Sequence, residues 1–358
     1  MFTAKGGGWE FPAFWSLALI VQALVGDGAF ALGARLRQTR SPIPGALPIA
    51  PHDVERRRVQ TVPCRRRRPS IAAAAPALRP EDCPMSLPSL FVSHGAPTLP
   101  LEAVPAADFL RSLGGMLPRR PRSILAVSAH WETENPTVSA VTGTNETIHD
   151  FYGFPPALYA LSYPAPGAPA LAERVGDALA AAGLPALIDP RRGLDHGAWV
   201  PLLLMYPEAD IPVAQLSIQS HLGPAHHLAV GRALAPLRER EDVLILASGS
   251  FTHNLSAFRG QRPDSPELDW AARFADWFAD ALIEGRVADL LAYRRLAPEA
   301  QRNHPSDEHL LPIFVALGAA GEAQPKAQRL HRSATYGALR MDAFAFGGGL
   351  PAAAVRAA

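Results

Sequence analysis

The sequence predicts an α/β fold: one domain with a central, mostly parallel or mixed sheet, helices on its flanks, and an active site at strand carboxyl ends. Three observations predict it. Short, almost wholly apolar runs such as residues 123–128 and 243–247 have the length and composition of buried strands. Between them lie longer stretches with helical spacing; in residues 168–182, Leu171, Val175, Ala178 and Leu179 share one face. Several apolar runs also lead into a histidine among small residues: Ser93-His94-Gly95, Ser128-Ala-His130, Asp195-His196-Gly197 and Ser248-Gly-Ser-Phe-Thr-His253. Ligands of open α/β sheets sit at the carboxyl edge, so the chain reads as organised around histidines gathered there.

Composition narrows the function. At 358 residues and 48% apolar, the chain can bury a sizeable core. Its net charge of +1 conceals an asymmetry: residues 1–84 carry 12 Lys+Arg against 6 Asp+Glu, and the remainder 22 against 27. A mildly acidic body gives no footprint for nucleic acid. Both cysteines, Cys64 and Cys83, precede Met85, so a metal in the body must use His, carboxylate or water. That distribution fits a reducing, cytoplasmic setting. Neither G-x-G-x-x-G nor G-x-x-x-x-G-K-[ST] occurs, which argues against a nucleotide enzyme.

Taken in order, residues 1–84 do not read like the rest. The apolar run 11–34 is interrupted by Gln22 and Gly26-Asp-Gly28, and only Lys5 precedes it. A secretory signal has its charge first, and a membrane span needs about 20 uninterrupted apolar residues. Arginine runs and an Ala/Pro tract follow. The expectation is a disordered extension, or a mis-called start with translation beginning at Met85. A catalytic domain over 85–347 and a tail over 348–358 complete the division.

From Met85 the pattern is regular. Strands are expected at 87–92, 123–128, 137–141 and 213–218, and at the run before Ser248. Helices are expected at 106–116, 168–182, 226–238, 268–282 and 287–293. Residues 198–205 are short and apolar. A helix over 310–317 takes Ser306 or Asp307 as its cap. Residues 329–346 form a closing strand or hairpin. The loop from Ile148 to Pro166, rich in aromatics and prolines, reads as a binding wall.

A lone histidine is more often structural than a ligand, and His221, His226, His227 and His331 carry that reading. His94, His130, His196 and His253 differ because their contexts agree. Small neighbours such as Gly95, Gly197 and Gly249 leave room for a close ligand. Neutral imidazoles with a carboxylate suit Fe(II) or Zn(II), although no pair has the local H-x-x-x-H spacing.

The text from Met85 to about Gly347 resembles the class III (protocatechuate 4,5-cleaving type) extradiol ring-opening dioxygenases, in their 4,5-DOPA branch. The matching blocks include Phe91-Val-Ser-His-Gly-Ala-Pro97, Val127-Ser-Ala-His-Trp131, Thr147-Ile-His-Asp-Phe-Tyr-Gly-Phe-Pro155 and Leu194-Asp-His-Gly-Ala-Trp199. Ala247-Ser-Gly-Ser-Phe-Thr-His-Asn-Leu255 and His304-Pro-Ser-Asp-Glu-His-Leu-Leu-Pro312 continue the match. The resemblance implies one divalent metal per chain, Fe(II) in the active form or Zn(II) as in some relatives. His94 and His130 would be ligands and His309 the third, chosen over its neighbour Glu308. His253 matches either a fourth ligand or an acid/base group, and His196 a second active-site histidine. The implied substrates are O2 and a DOPA-like catechol, whose ring opens to a muconic semialdehyde.

A base must take a catecholic proton, and His253 or His196 could serve as base and then acid. Tyr152, Phe154, Trp131 and Trp199 would supply flat apolar walls, with core packing the even alternative for Trp199. The rivals are a zinc-dependent hydrolase or lyase using the same histidines, and a non-enzymatic zinc-stabilised binding protein. A membrane partner is not expected for the catalytic domain.

Overall fold

The computed structural model describes residues 86–323, 325–348 and 350; the expectations for 1–84 and for most of the tail lie outside the described residues. The strands are β1 (Ser89–Ser93), β2 (Ser123–Glu132), β3 (Thr137–Ser139), β4 (Leu187–Asp189), β5 (Val213–Ile218), β6 (Val243–Gly249), β7 (Gln328–His331), β8 (Ala334–Thr335), β9 (Leu339–Arg340) and β10 (Ala343–Phe346). Eight of them form one mixed sheet in the order β4-β3-β5-β2-β6-β1-β10-β7, and β8 pairs with β9. The four central strands run parallel, so their carboxyl ends share one edge. Residues 329–346 close the sheet as antiparallel β7 and β10 against β1.

Alternation along the strands explains the two flanking layers. Leu90, Val92, Ile124, Ala126, Leu244 and Leu246 face one core. Phe91, Leu125, Val127, Ile245 and Ala247 face the other. Helices α1 (Pro105–Met116) and α3 (His196–Met205) cover the first face. Helices α2 (Pro169–Ala181), α4 (Gly223–Glu241), α5 (Asp269–Glu284) and α6 (Pro312–Gly318) cover the second. Backbones of α4 and α6 touch: a Cβ on Gly231 would lie 2.1 Å from the Val315 carbonyl oxygen, and one on Gly318 2.2 Å from that of Leu228.

Several expectations change. Residues 198–205 belong to a helix that begins at His196, and almost every residue of it is buried, so no amphipathic period marks it. Its cap is Asp195, whose side chain accepts from the Ala198 N–H. The helix expected at 310–317 starts at Pro312 without a side-chain cap. Asp307 instead accepts the Tyr293 hydroxyl at 2.7 Å, while its carbonyl takes the Leu310 and Leu311 N–H groups. Residues 287–293 break into Val287–Leu291 and a second turn from Tyr293. Strand β4 escaped the sequence reading because Leu187 and Ile188 are exposed and define no buried face. Among the described residues, no helix is long and apolar enough to cross a membrane.

One structural histidine makes stability depend on pH. His227 is buried; its Nδ1–H donates to the Gly223 carbonyl and its Nε2 accepts from the Gln219 N–H. Protonation at Nε2 would set two donors against each other, and burial lowers the pKa to about 4. The unfolded chain binds this proton below about pH 6.5 and the native fold does not, so stability falls as pH drops from there toward 4. Thermal melts across that window should show a decline that flattens in His227→Gln. An unchanged slope in the variant would remove His227 as the cause.

Candidate metal centre and active site

Five segments bring their histidines to the shared carboxyl edge. His94 follows β1 directly, and its N–H continues the ladder onto the Gly249 carbonyl at 3.0 Å. His130 lies inside β2, which runs past the expected end at Ser128; a register shift against β5 between Val127 and Glu132 turns it out of the ladder. His253 follows β6, held by its N–H on the Asn303 carbonyl at 2.9 Å. His309 sits in the turn before α6, with its carbonyl accepting from Ser250 N at 2.8 Å. His196 is the first residue of α3, so it reaches the edge from a helix and not from a strand end.

The glycines beside these histidines make room for protein, not ligand. A Cβ on Gly249 would lie 2.1 Å from the His309 carbonyl oxygen, so only glycine lets that turn land on the end of β6. A Cβ on Gly197 would meet Ser128 Oγ at 2.3 Å and the His130 ring at 3.0 Å.

Three Nε2 atoms converge. His130 Nε2 lies 3.1 Å from that of His94 and 3.2 Å from that of His309, and the ligand atoms of the three lie within 4.8 Å of one another. Their other nitrogens set the tautomers. Ser248 Oγ donates to the Gly197 carbonyl, so it accepts from His94 Nδ1–H, at 3.0 Å. His309 Nδ1–H donates to Glu308 Oε1 at 2.9 Å, which gives Glu308 the place of an outer partner. His130 Nδ1 faces Asp150 Oδ2 at 3.7 Å. His94 and His309 thus present unprotonated Nε2 atoms to the His130 Nε2, at 3.1 and 3.2 Å; a hydrogen there could serve only one of them, whereas a cation among the three satisfies all.

Electrostatics favour the same state. Burial, then neighbouring His130, holds His94 well below the usual histidine value; burial, then His253, does so for His309. Burial and His196 bring His130 to about 3, against the pull of Asp150. At neutral pH these are lone-pair donors. Metal–nitrogen bonds of about 2.0–2.1 Å put adjacent ligands roughly 3.0–3.4 Å apart, so the donor set fits a divalent ion that accepts imidazole.

Two further imidazoles flank the three. His253 stacks on His309 with ring centroids 3.5 Å apart, and its Nδ1 lies 3.9 Å from Glu308 Oε1. Burial lowers its pKa to about 4, with Glu308 opposing. The His196 ring lies 3.9 Å from that of His130. Asp150 Oδ1 accepts both the His196 backbone N–H at 3.0 Å and its Nδ1–H at 2.9 Å. Burial alone would raise the Asp150 carboxyl, but the His196 hydrogen bond and charge bring it down to about 2. Sequence reasoning missed Asp150 as a functional residue. It lies in the quoted aromatic loop, but no spacing rule says which polar residue of that loop turns inward.

All five histidines line a cavity of about 520 Å3. Of the four aromatics expected as its walls, Phe154 lines it; Phe151, Phe258 and Tyr336 do as well. Tyr152 is 82% exposed, and Trp131 stacks under the Arg192 guanidinium. Trp199 is fully buried with Nε1–H on the Ile148 carbonyl, so core packing is its role.

Neutral imidazoles converging at the parallel strand ends of an α/β sheet, on the floor of an apolar cavity, define a metal-dependent α/β enzyme. Residues 88–344 match the family described as the catalytic LigB subunit of aromatic ring-opening dioxygenase. The chain belongs to this family, and it is an extradiol ring-opening dioxygenase. It is 46% identical over 262 residues to a 4,5-DOPA dioxygenase extradiol of Beta vulgaris, covering 72% of this chain and 96% of that one. It is 42% identical over 242 residues to one of Escherichia coli K12, covering 67% and 87%. The crystal structure of an uncharacterized protein from Escherichia coli K12 shares the fold, with a TM-score of 0.58 and 33% identity, covering 72% of this chain and 99% of that one.

Proposed function

We propose that this enzyme opens a DOPA-like catechol with O2 to a muconic semialdehyde, using one Fe(II) held by His94, His130 and His309. The observation that carries this reading is the convergence of three Nε2 atoms of neutral imidazoles on the floor of the cavity, with two further imidazoles beside them. Zn(II) suits the same donors, as a resting or substituted form. A metal held by these three imidazoles would supply the electron transfer that lets a diol and O2 react. His253 and His196 handle protons: one neutral imidazole takes a catecholic proton as the diol binds and returns it to the departing oxygen. Asp150 holds the His196 ring so that Nε2 carries the lone pair, and it balances the imidazolium that forms. Phe151 and Phe154 give the aromatic ring apolar faces and keep water off. We assign this activity to residues 85–347 and place it in the cytoplasm, in keeping with a body without cysteine. A zinc hydrolase would need the same histidines but no oxygen, and the family match does not favour it.

The test is oxygen consumption by the full-length chain, purified anaerobically and loaded with Fe(II), on addition of DOPA or another catechol. Stoichiometric O2 uptake with a new yellow absorbance is the expected result. No uptake across a panel of catechols, with bound metal verified, would discard the dioxygenase reading in favour of hydrolysis.

A further inference from the structure

Glu102 is the one carboxylate residue lining the active-site cavity, and no Arg or Lys lines it among the described residues. Glu102 follows the short turn Leu99–Leu101 that leads away from His94. Thr98 Oγ1 donates to Glu102 Oε1 at 2.5 Å, and the Tyr336 hydroxyl donates to the same oxygen at 3.3 Å. Burial, then Glu102 itself, raises the Tyr336 phenol, which keeps its proton and stays a donor. Both hydrogen bonds fall on Oε1, and Oε2 has no partner among the described residues.

Two buried carboxylates are matched by arginines, and Asp150 and Glu308 are held by imidazoles. Asp195 pairs with Arg192 at 3.0 Å, and Asp342 with Arg340 at 3.1 Å. Glu102 has no such partner. Around it the cavity is largely apolar, with Phe151, Phe154, Phe258 and Leu339 on its walls. A carboxylate facing such a cavity gains most from a cation on the ligand. A volume of about 520 Å3 takes a catechol ring with a short arm.

We propose that Glu102 sets specificity by receiving a protonated amine, so that the preferred substrates are catechols whose arm ends in an ammonium group, aminoethyl catechols above all. A carboxylate on the arm finds no Arg or Lys among the lining residues and meets Glu102 instead. This rests on the catechol-cleaving reading and adds the chemistry of the side arm. DOPA, carrying both groups, ranks between the amine and the acid.

Anaerobic calorimetry on the full-length Fe(II)-loaded chain tests it with three probes of similar size: dopamine, 4-ethylcatechol and 3-(3,4-dihydroxyphenyl)propanoate. Dopamine should bind about tenfold tighter than 4-ethylcatechol, a difference of about 1.4 kcal/mol, and the propanoate about tenfold weaker. The dopamine advantage should shrink as salt rises from about 0.05 to 0.5 M. It should collapse toward one in Glu102→Gln and partly survive in Glu102→Asp. Equal affinities for the three probes, or a ranking indifferent to salt, would overturn the proposal even if Glu102→Gln fails to fold. An unchanged ranking in a folded Glu102→Gln would overturn it too. Oxygen uptake separates the two readings. Uptake without the ranking sinks the role of Glu102 alone; the ranking without uptake leaves the recognition standing and sinks ring cleavage.

Discussion

His309→Ala should purify without bound metal, whereas His253→Ala should keep the metal and lose turnover. The difference follows from position. His309 Nε2 lies 3.2 Å from that of His130, and its Nδ1–H is fixed by Glu308, so the lone pair is aimed before any ion arrives. Removing it leaves two donors, which should weaken metal binding by more than the roughly 10–100-fold that loss of an outer partner costs. His253 instead stacks against His309 and lines the cavity. Its loss removes a proton carrier, worth roughly 10²–10⁴ in rate. Metal content per chain by elemental analysis, beside oxygen uptake, checks both. A metal-free His253→Ala with a loaded His309→Ala would reverse the assignment.

Asp150→Asn should retain metal and catechol affinity within a few fold, yet lose turnover by roughly 10²–10⁴. The amide is nearly isosteric and its oxygen can still accept from the His196 backbone and ring. What vanishes is the charge, which Asp150 holds firmly as a carboxylate with its pKa near 2. Asparagine also offers an N–H toward His196 Nδ1, so the ring can turn over or change tautomer and withdraw the Nε2 lone pair. Anaerobic titration with catechol should look normal while single-turnover cleavage is slow. If cleavage proceeds at the native rate, His196 does not carry the proton and His253 acts alone.

Much of the framework was legible because strand and helix patterns are local. The run at β5 was read residue for residue, since Val213–Ile218 is buried throughout and flanked by proline and polar residues. The expected β1 was displaced by a residue or two, because Leu87 is as buried as the strand itself. Helix α3 was hidden by its own burial: with His196 through Leu202 enclosed, no polar stripe reported a helical period. That error placed His196 on a strand end. Of the four aromatics expected as walls only Phe154 lines the cavity, for a related reason. An aromatic in a loop is equally at home in a core, and Trp199 turns inward because the Ile148 carbonyl accepts its N–H.

By itself the sequence determined the α/β class, the parallel strands that deliver residues to one edge, and, through its resemblance to the extradiol dioxygenases, the set of histidines at issue. Each of these is written in a few neighbouring residues. The tertiary structure decided which imidazoles meet, which nitrogens face inward, and that Asp150 and Glu102 belong to the site at all. The reason is distance along the chain. His94, His130 and His309 come from separate segments, and the Nε2 atoms of His94 and His309 come within 3.1 and 3.2 Å of that of His130 only when β1, β2 and the turn before α6 pack together. Hydrogen bonds donated to Ser248, Glu308 and Asp150 then select the tautomers of His94, His309 and His196, and no local pattern encodes that choice.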